Sequence, residues 1–230
     1  MAGSTLARAM GLALVTAAAG WPAGNTAAQV PATVFGGAGV GADEMAYLGA
    51  TVPVGGSGFA LRGIVSTSQY KYRSAGTRIT SDQMQGEVSA LYQRAGPNGY
   101  FDLGVGARYT DTDLSPDDPG NRSQGDEWDV VLSMSGQTAP GPWRAAGFAS
   151  YAVDSEDYYV RAELTRAVRP SVRLGLEAVL DGDPNYDRRR AGVLLGVSTS
   201  PRWEAHIAVG ASDSKARDGA YASIGFRRSF

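Results

Sequence analysis

Apolar and polar residues alternate with a period of two along most of the chain after residue 32. Between residues 128 and 134, for example, Trp128, Val130, Leu132 and Met134 occupy every second position. The same pattern recurs in residues 101–109, 172–180, 191–197 and 203–209. A period of two is typical of β-strands, in which successive side chains point to opposite faces. Each predicted strand has one apolar and aromatic face and one face of glycine, serine and charge, so we expect an all-β protein.

Turn residues divide the alternating sequence into twelve predicted strands. They lie near residues 33–41, 45–54, 58–72, 82–94, 99–111, 125–138, 142–153, 157–168, 171–181, 187–198, 202–212 and 219–230. Merging or splitting one weak hairpin would give ten or fourteen strands instead. Several of these strands run past ten residues, whereas strands of soluble sheets average ~5–6 residues. A soluble β-sandwich would hide its apolar faces between two sheets, but this strand length favours a transmembrane antiparallel up-and-down β-barrel with its apolar face toward lipid.

An export signal precedes the predicted strands. Arg8 supplies a positive charge, residues 9–19 form an apolar segment, and residues 26–28 offer small side chains for cleavage before Gln29. The apolar segment is shorter than the ~20 residues that a transmembrane helix needs. Residues 1–28 are therefore predicted to be a signal peptide, and residues 29–230 an outer-membrane β-barrel. The terminal Phe230 resembles the last residue of such barrels, although Arg228 departs from their usual apolar pattern.

The connections between predicted strands form two alternating sets. The even-numbered connections, such as residues 95–98 and 139–141, are short and rich in glycine and proline, which predicts tight periplasmic turns. The odd-numbered ones include longer acidic loops, the longest being residues 112–124, and these are expected to face outside. Both termini then lie in the periplasm. Aromatic residues near the strand ends predict two interfacial belts. We expect Phe59, Trp143, Trp203 and Phe230 in the periplasmic belt, and Tyr47, Tyr109, Trp128 and Tyr158 in the outer belt.

The overall charge of the chain limits its partners. The chain has 21 basic and 23 acidic residues, a net charge of −2, and no cysteine. This near-neutral balance gives no electrostatic footprint for nucleic acid, and disulfide bonds are excluded. The expected partners are outer-membrane lipid and lipopolysaccharide, the protein is expected to be a monomer, and no cofactor is predicted.

A set of ionisable side chains falls on the predicted lumen face. Its members are Arg62, Glu87, Arg108, Asp129, Arg161, Glu163, Arg173, Glu177, Arg190, Glu204 and His206. One interpretation is a ladder of arginine–carboxylate pairs that holds the barrel shut, and the other is a polar pore that binds sugars. Twelve strands lie between a filled eight-stranded barrel and a wide channel, and the filled or narrow barrel is favoured. Only Tyr159 and Tyr221 are predicted to point inward as aromatic residues, which weighs against a cellulose conduit.

The outer connections carry a second candidate site for a glycan or a partner. Its residues are Asp111, Asp113, Asp117, Asp118, Asn121, Asp183, Tyr186 and Asp187. Asp111 and Asp113, and likewise Asp181 and Asp183, have an Asp-x-Asp spacing that suits calcium, but neither segment completes a calcium-loop pattern. A solvated acidic rim is therefore expected rather than a specific metal site, with bridging of lipopolysaccharide phosphates by divalent cations as an alternative. The longest loop is also a candidate plug for the barrel mouth.

His206 is the one histidine of the chain, so a serine–histidine hydrolase would have to use it as general base. Outer-membrane lipases and lipid A deacylases have a similar architecture, but their working residues lie on the lipid side. The parity of the strand places His206, between Ala205 and Ile207, on the lumen face. An ordinary lumen histidine is therefore favoured, and no catalytic residue is predicted.

Two segments carry a resemblance to a known family. Residues 106–121, followed by Gly125-Asp126-Glu127-Trp128, and residues 182–192 resemble the cellulose biosynthesis protein BcsS family, and residues 34–37 are similar more weakly. The most specific run is Leu-Ser-Pro-Asp-Asp-Pro-Gly-Asn at residues 114–121. The resemblance implies an outer-membrane accessory of bacterial cellulose production and export, without a known catalytic reaction. We expect outer loops that engage glucan or the export machinery. A passive oligosaccharide channel and a lipid-modifying enzyme using His206 are the alternatives.

Overall fold

The computed structural model of the protein describes residues 30–41, 43–55, 58–121, 123–184, 186–214 and 218–230. The predicted signal peptide, residues 1–28, lies outside these ranges. Across the described ranges, no helix has the length and apolar character that crossing a bilayer requires.

Twelve β-strands make up the fold, as the sequence predicts. They are β1 (Thr33–Val40), β2 (Glu44–Val54), β3 (Phe59–Ser74), β4 (Thr77–Gly96), β5 (Gly99–Ser115), β6 (Gly125–Thr138), β7 (Trp143–Ala152), β8 (Tyr158–Arg169), β9 (Val172–Gly182), β10 (Asp187–Ser200), β11 (Trp203–Ser214) and β12 (Gly219–Ser229). Each strand pairs antiparallel with its neighbours in sequence, and β1 pairs with β12, which closes the sheet. The prediction of an up-and-down barrel is confirmed, and closure leaves no strand edge unpaired.

The barrel turns its apolar residues outward. Trp128 is 68% exposed, Val88 66% and Leu176 61%, and each alternates with inward polar neighbours along its strand. Such an exposed apolar band would be a liability in water, but it matches the hydrocarbon layer of a membrane. Inside, charged and polar groups such as Arg62 and Glu87 are buried. The inside-out distribution of polarity is that of a transmembrane barrel.

We call the end that carries both termini and the connections β2–β3, β4–β5, β6–β7, β8–β9 and β10–β11 the turn end, and the opposite end the loop end. Phe59, Trp143, Trp203 and Phe230 are exposed near the turn end. Near the loop end, the rings of Tyr109 and Trp128 lie 5.3 Å apart. Tyr47 and Tyr158 were predicted to belong to the same outer belt, but both line the cavity instead, and Tyr158 is buried.

One side of the barrel rises higher than the sequence predicts. β4 is 20 residues long and β5 is 17, whereas ~9–11 residues suffice to cross a membrane. The segment between the predicted third and fourth strands is itself sheet, closed by a turn at Ala75 and Gly76, whose φ angles are 48° and 85°. Two consecutive positive φ values match the twist of a hairpin, so the ladder continues to Ser74 and Thr77.

The longer β5 corrects two predicted loop residues. Asp111 pairs with Met84, and Asp113 pairs with Asp82, so both aspartates lie on a strand and not in a loop. Their side chains share the outward face of β5 and are exposed. The strand continues here because β4 extends far enough to offer it hydrogen-bonding partners.

Candidate functional site

The barrel encloses a cavity of about 880 Å³. Its walls include Gln137 and Thr138 near the turn end, and Tyr70 and Asp183 near the loop end, so it follows the barrel axis. The volume lies within the ~300–1,000 Å³ typical of small-ligand sites. The lumen is therefore the candidate functional site, and its side chains decide what can enter it.

The first charged cluster lies on the wall formed by β3, β4 and β5. Arg62 contacts Glu87 at 3.3 Å and Ser133 at 2.7 Å, and the other oxygen of Glu87 lies 3.1 Å from Arg108. Arg108 also reaches Asp157 in the β7–β8 connection at 2.7 Å. Glu87 and Arg108 are direct register partners on neighbouring strands, which is why the ladder forms. Two guanidinium groups thus face two carboxylates, which leaves little net charge on this wall.

A second cluster is centred on Arg161 on the opposite wall. Its guanidinium lies 2.9 Å from Glu163 and 2.8 Å from Glu177, and 2.9 Å from a ring nitrogen of His206. The phenol of Tyr221 donates to Glu177 at 2.9 Å. His206 thus lies in the lumen, where the strand parity predicts it, among charged groups and away from the lipid face.

A third cluster crosses the lumen near the turn end. Arg144 on β7 pairs with Glu204 on β11, which also pairs with Arg227 on β12 at 3.2 Å. Arg227 then reaches Gln137 on β6 at 3.2 Å and Tyr100 on β5 at 3.4 Å. Because β12 and β6 face each other across the closed sheet, this chain of contacts narrows the lumen.

A fourth cluster lies at the loop end. The phenol of Tyr186 donates to Asp43 at 2.5 Å, and Arg188 lies 2.6 Å from the same carboxylate. Asp181 accepts from Arg188 at 2.7 Å and from Arg190 at 3.2 Å. Burial raises the pKa of the Tyr186 phenol above its usual value of 10.0, so the group stays protonated and remains a donor to Asp43.

Two tyrosines meet across the loop-end mouth. The ring of Tyr70, on β3, lies 5.0 Å from the ring of Tyr186, which precedes β10. Five positions separate β3 from β10 around the closed sheet, so the two rings come from nearly opposite walls. Together they partly cover the entrance to the cavity.

The long β5–β6 connection folds back onto the loop-end part of the β3–β4 hairpin, residues 70–81, which we call the raised hairpin. The hydroxyl of Tyr72 donates to Asp118 at 2.9 Å and accepts from Asn121 at 2.8 Å. Asp117 accepts from Gln124 at 3.3 Å. The loop is therefore tied to the rim of the barrel, and Asp118 and Asn121 lie beside the aromatic side chains of the mouth.

The remaining predicted loop residues make hydrogen bonds in and around the β9–β10 connection. Asp187 accepts from Tyr158 at 2.9 Å, and a carboxylate oxygen of Asp183 accepts from the backbone of Tyr186 at 2.9 Å. The structure brings Asp183, Tyr186 and Asp187 together, but it leaves Asp111 and Asp113 on the outer face of β5. Within the described ranges, no group of three or more His, Cys, Asp or Glu side chains is arranged to hold a metal ion.

Two of the predicted lumen residues brace connections rather than join the charge ladder. Asp129 accepts from the hydroxyl and backbone N–H of Ser155 at 2.6 and 2.8 Å, which fixes the β7–β8 connection. Arg173 donates to the backbone carbonyls of Gly141 and Pro142, both at 3.2 Å. Both side chains face inward as predicted, but their role in the structure is to hold the rims.

Sequence reasoning missed a further set of lumen residues. They are Asp43, Asp102, Arg144, Asp157, Asp181, Arg188 and Arg227, together with the aromatic residues Phe35, Tyr47, Tyr70, Tyr100, Phe148 and Tyr186. The signal was present for most of them, because Asp102 has the parity of Arg108, and Asp181 that of Glu177. The prediction of an aromatic-poor lumen is wrong.

An uncharged polar patch lies on the β3–β5 part of the lumen wall, toward the loop end. Its side chains are Ser66 and Ser68 on β3, Gln83 and Gln85 on β4, and Thr110 and Thr112 on β5. The register aligns them in two rows across three strands. We call this patch the polar grid. It lies between the Glu87–Arg108 pair and the tyrosines of the mouth.

Solved structures of outer-membrane barrels are similar to this chain. An outer membrane channel from Pseudomonas putida F1 has 13% sequence identity and a TM-score of 0.52, over 91% of this chain and 99% of the channel. KdgM porin, in complex with disordered oligogalacturonate, has 12% identity and a TM-score of 0.49, over 86% and 99%. The translocator domain of autotransporter NalP from Neisseria meningitidis has 15% identity and a TM-score of 0.47, over 99% and 98%. At 13% identity, the similarity to the channel establishes the fold alone.

The sequence itself gives a more specific result. A comparison with curated proteins finds no match. A sequence model of the family described as cellulose biosynthesis protein BcsS matches residues 23–230, and so covers every strand of the barrel. The protein is therefore a cellulose-related outer-membrane β-barrel, and the chain belongs to the cellulose biosynthesis protein BcsS family.

Proposed function

We propose that the protein is a non-catalytic accessory of cellulose biosynthesis or export, and that its loop end engages glucan or a component of the export machinery. In this proposal the loop end faces outside and both termini lie in the periplasm. The observation that carries it is the cluster of Tyr70, Tyr72 and Tyr186 at the loop-end mouth. Hydrogen bonds to Asp118 and Asn121 fix Tyr72, and a hydrogen bond to Asp43 fixes Tyr186.

The chemistry of that cluster suits a carbohydrate. A sugar ring presents apolar C–H faces and a rim of hydroxyl groups, and tyrosine offers an apolar ring with a polar tip. Asp118 and Asn121 add acceptors and donors next to Tyr72. Because these side chains already hold one another in place, little conformational entropy would be lost when a ligand binds.

A non-catalytic role is supported by the contacts that His206 and the neighbouring charged side chains make with one another. His206 contacts Arg161 inside the lumen, on the face of the sheet opposite the exposed apolar band. Arg161, Glu163 and Glu177 pair with one another. Closure of the sheet supports a monomer that contacts outer-membrane lipid and lipopolysaccharide through its exposed apolar band.

The proposal is tested in the native host. Deleting the gene is expected to change either cell-associated or released β-1,4-glucan, and the wild-type protein should restore the original balance. A Tyr70→Ala/Tyr186→Ala variant should restore it only in part, whereas Tyr109→Ala, which alters an outward ring, should restore it fully. If both glucan pools stay unchanged in the deletion strain while cellulose is being made, the proposal is wrong.

A passive channel for oligosaccharides or small solutes is the second candidate. It is favoured by the axial cavity of about 880 Å³, whose walls include residues from both ends of the barrel. The cluster of Arg144, Glu204 and Arg227 opposes it by narrowing the turn end. Steady single-channel conductance of the purified protein in planar bilayers would support the channel, and its absence would leave the accessory role.

A further inference from the structure

The six side chains of the polar grid carry no ionisable group, although Glu127 on β6 lines the cavity beside Thr110. Ser66, Gln85 and Thr110 form one row, and the next row toward the loop end contains Ser68, Gln83 and Thr112. The row below holds Glu87 and Arg108, and Tyr70 lies above. Hydroxyl and amide groups are thus concentrated in one region of the cavity wall, directly inside the mouth.

The hydrogen bonds within the polar grid leave part of its capacity unused. Ser66 donates to Gln85 at 3.3 Å, Ser68 donates to Gln83 at 3.3 Å, and Gln83 donates to Thr112 at 3.3 Å. All three distances lie at the long end of the usual range. A glutamine amide has two N–H donors and a carbonyl oxygen with two acceptor sites, so both glutamines can bond a ligand without losing these contacts.

Aromatic rings face this region of the cavity. Tyr70 lies on the same strand as the serines of the polar grid, and its ring meets that of Tyr186 at 5.0 Å. Further in, Phe148 and Tyr159 line the same cavity, with their ring centres 6.0 Å apart. Flat rings beside hydroxyl and amide groups suit a ligand with both apolar faces and hydroxyl edges, which describes a sugar chain.

The neighbouring charges argue against an ionic ligand. Arg108 is already held by Glu87 and Asp157, and Arg188 is held by Asp43 and Asp181. An anionic sugar would have to compete with these carboxylates for each guanidinium. A neutral chain can use the polar grid and the rings without disturbing any ion pair.

We propose that the polar grid, together with Tyr70 and Tyr186, binds a short segment of a neutral linear β-glucan in the loop-side half of the lumen. The choice of β-glucan rests on the proposed function, whereas the preference for a neutral, hydroxyl-rich chain follows from the side chains. The ligand reaches the site from the loop end, where its rings replace the contact between the two tyrosines.

Calorimetric titration of the purified full-length protein in detergent with cellopentaose tests the polar grid. The wild type should bind, and Gln83→Ala/Gln85→Ala should bind about tenfold more weakly or worse, as expected for the loss of two ordinary hydrogen bonds. Met84→Ala is the matched control, because Met84 lies between the two glutamines and is 68% exposed on the lipid face. Retained heat-modifiable mobility on gels verifies that each variant is folded. Absence of cellopentaose binding to the wild type, or equal affinity of the double variant, would overturn the site.

Two further comparisons test the chemical class and the tyrosines. Pentagalacturonate, an anionic chain of the same length, should bind more weakly than cellopentaose, and equal or tighter binding would contradict a neutral ligand. Tyr70→Ala and Tyr186→Ala should each weaken binding, whereas Tyr186→Phe, which keeps the ring and loses the hydroxyl bond to Asp43, should retain it. Unchanged affinity of both alanine variants would show that the rings only cover the mouth, contrary to the proposal.

The experiments distinguish failure of the proposed accessory role from failure of the proposed luminal site. A glucan phenotype of the deletion strain without cellopentaose binding would leave the accessory role intact and remove the luminal site. Cellopentaose binding without any glucan phenotype would keep the site and remove the role in cellulose production.

Discussion

Arg161 separates two carboxylates that the sheet places face to face. Glu163 on β8 and Glu177 on β9 are direct register partners, and like charges in that arrangement repel. The guanidinium of Arg161 lies 2.9 Å from one and 2.8 Å from the other. Replacing Arg161 with glutamine removes the shared cation, so Glu163 and Glu177 lose the group that separates them and His206 loses its contact.

The loss of stability expected for Arg161→Gln can be derived from the burial of the three side chains. Removing one member of a buried ion pair costs about 3–5 kcal/mol. The Glu177 side chain is only 2% exposed, but those of Arg161 and Glu163 are 15% and 17% exposed to the lumen, so water relieves part of the penalty. We therefore expect Arg161→Gln to lower the free energy of unfolding by about 3 kcal/mol, at the low end of that range. Converting Glu163 and Glu177 to glutamine in the same protein should recover most of the loss.

Urea unfolding in lipid vesicles or detergent, followed by the fluorescence of the barrel tryptophans Trp128, Trp143 and Trp203, measures these differences. Arg166→Gln is the control, because Arg166 is an exposed residue on the same strand whose guanidinium lies over the ring of Trp143, and it should cost no more than about 0.5 kcal/mol. A loss below about 1 kcal/mol for Arg161→Gln, or a triple variant as unstable as the single one, would refute the account of a shared buried cation.

Two further predictions concern the narrowing of the lumen and the close packing of its wall. Arg227→Ala should raise single-channel conductance in planar bilayers, because it breaks the contact to Gln137 that crosses the lumen, whereas Arg228→Ala, which alters a side chain stacked on Phe230, should leave it unchanged. Gly175→Ala should lower the free energy of unfolding by about 1–3 kcal/mol through overpacking, because a Cβ there would lie 2.1 Å from the carbonyl oxygen of Leu164. Gly86→Ala, which meets nothing within 4 Å, should show no such loss when both are unfolded in urea.

The period-two pattern was sufficient to predict the barrel because each strand buries its polar face and exposes its apolar face. Register partners such as Glu87 and Arg108 follow from the same parity once the strands are aligned. Tyr47 shows where the reasoning failed. Its strand places Leu48 and Val52 outward, so Tyr47 and Thr51 must face the lumen. The expectation of an aromatic belt overrode a parity that was readable in the sequence.

Contacts between distant strands could not be derived in the same way. The pairing of Arg188 with Asp43 and the contact of Tyr70 with Tyr186 join residues from strands far apart in the sheet. Their meeting depends on barrel width, strand tilt and the inward lean of the connections, none of which the alternation of polar residues encodes. The height of the raised hairpin was missed for a related reason. Between residues 73 and 81 Ile79 is the one large apolar residue, so no hydrophobic period marks the strands there.

The position of the charges distinguishes binding from transit for a neutral glucan. A conduit needs an uncharged path through the whole barrel, but the polar grid stops at the row of Glu87 and Arg108. Deeper in, Arg62 lies over the ring of Phe148 at 5.2 Å, and the contacts of Arg144 with Glu204 cross the lumen again. A chain passing to the turn end would have to separate these pairs and leave buried charges exposed to a neutral ligand, at a cost of several kcal/mol for each. A chain held at the loop end avoids that cost, so the charges of the lumen favour holding the proposed glucan segment over carrying it through.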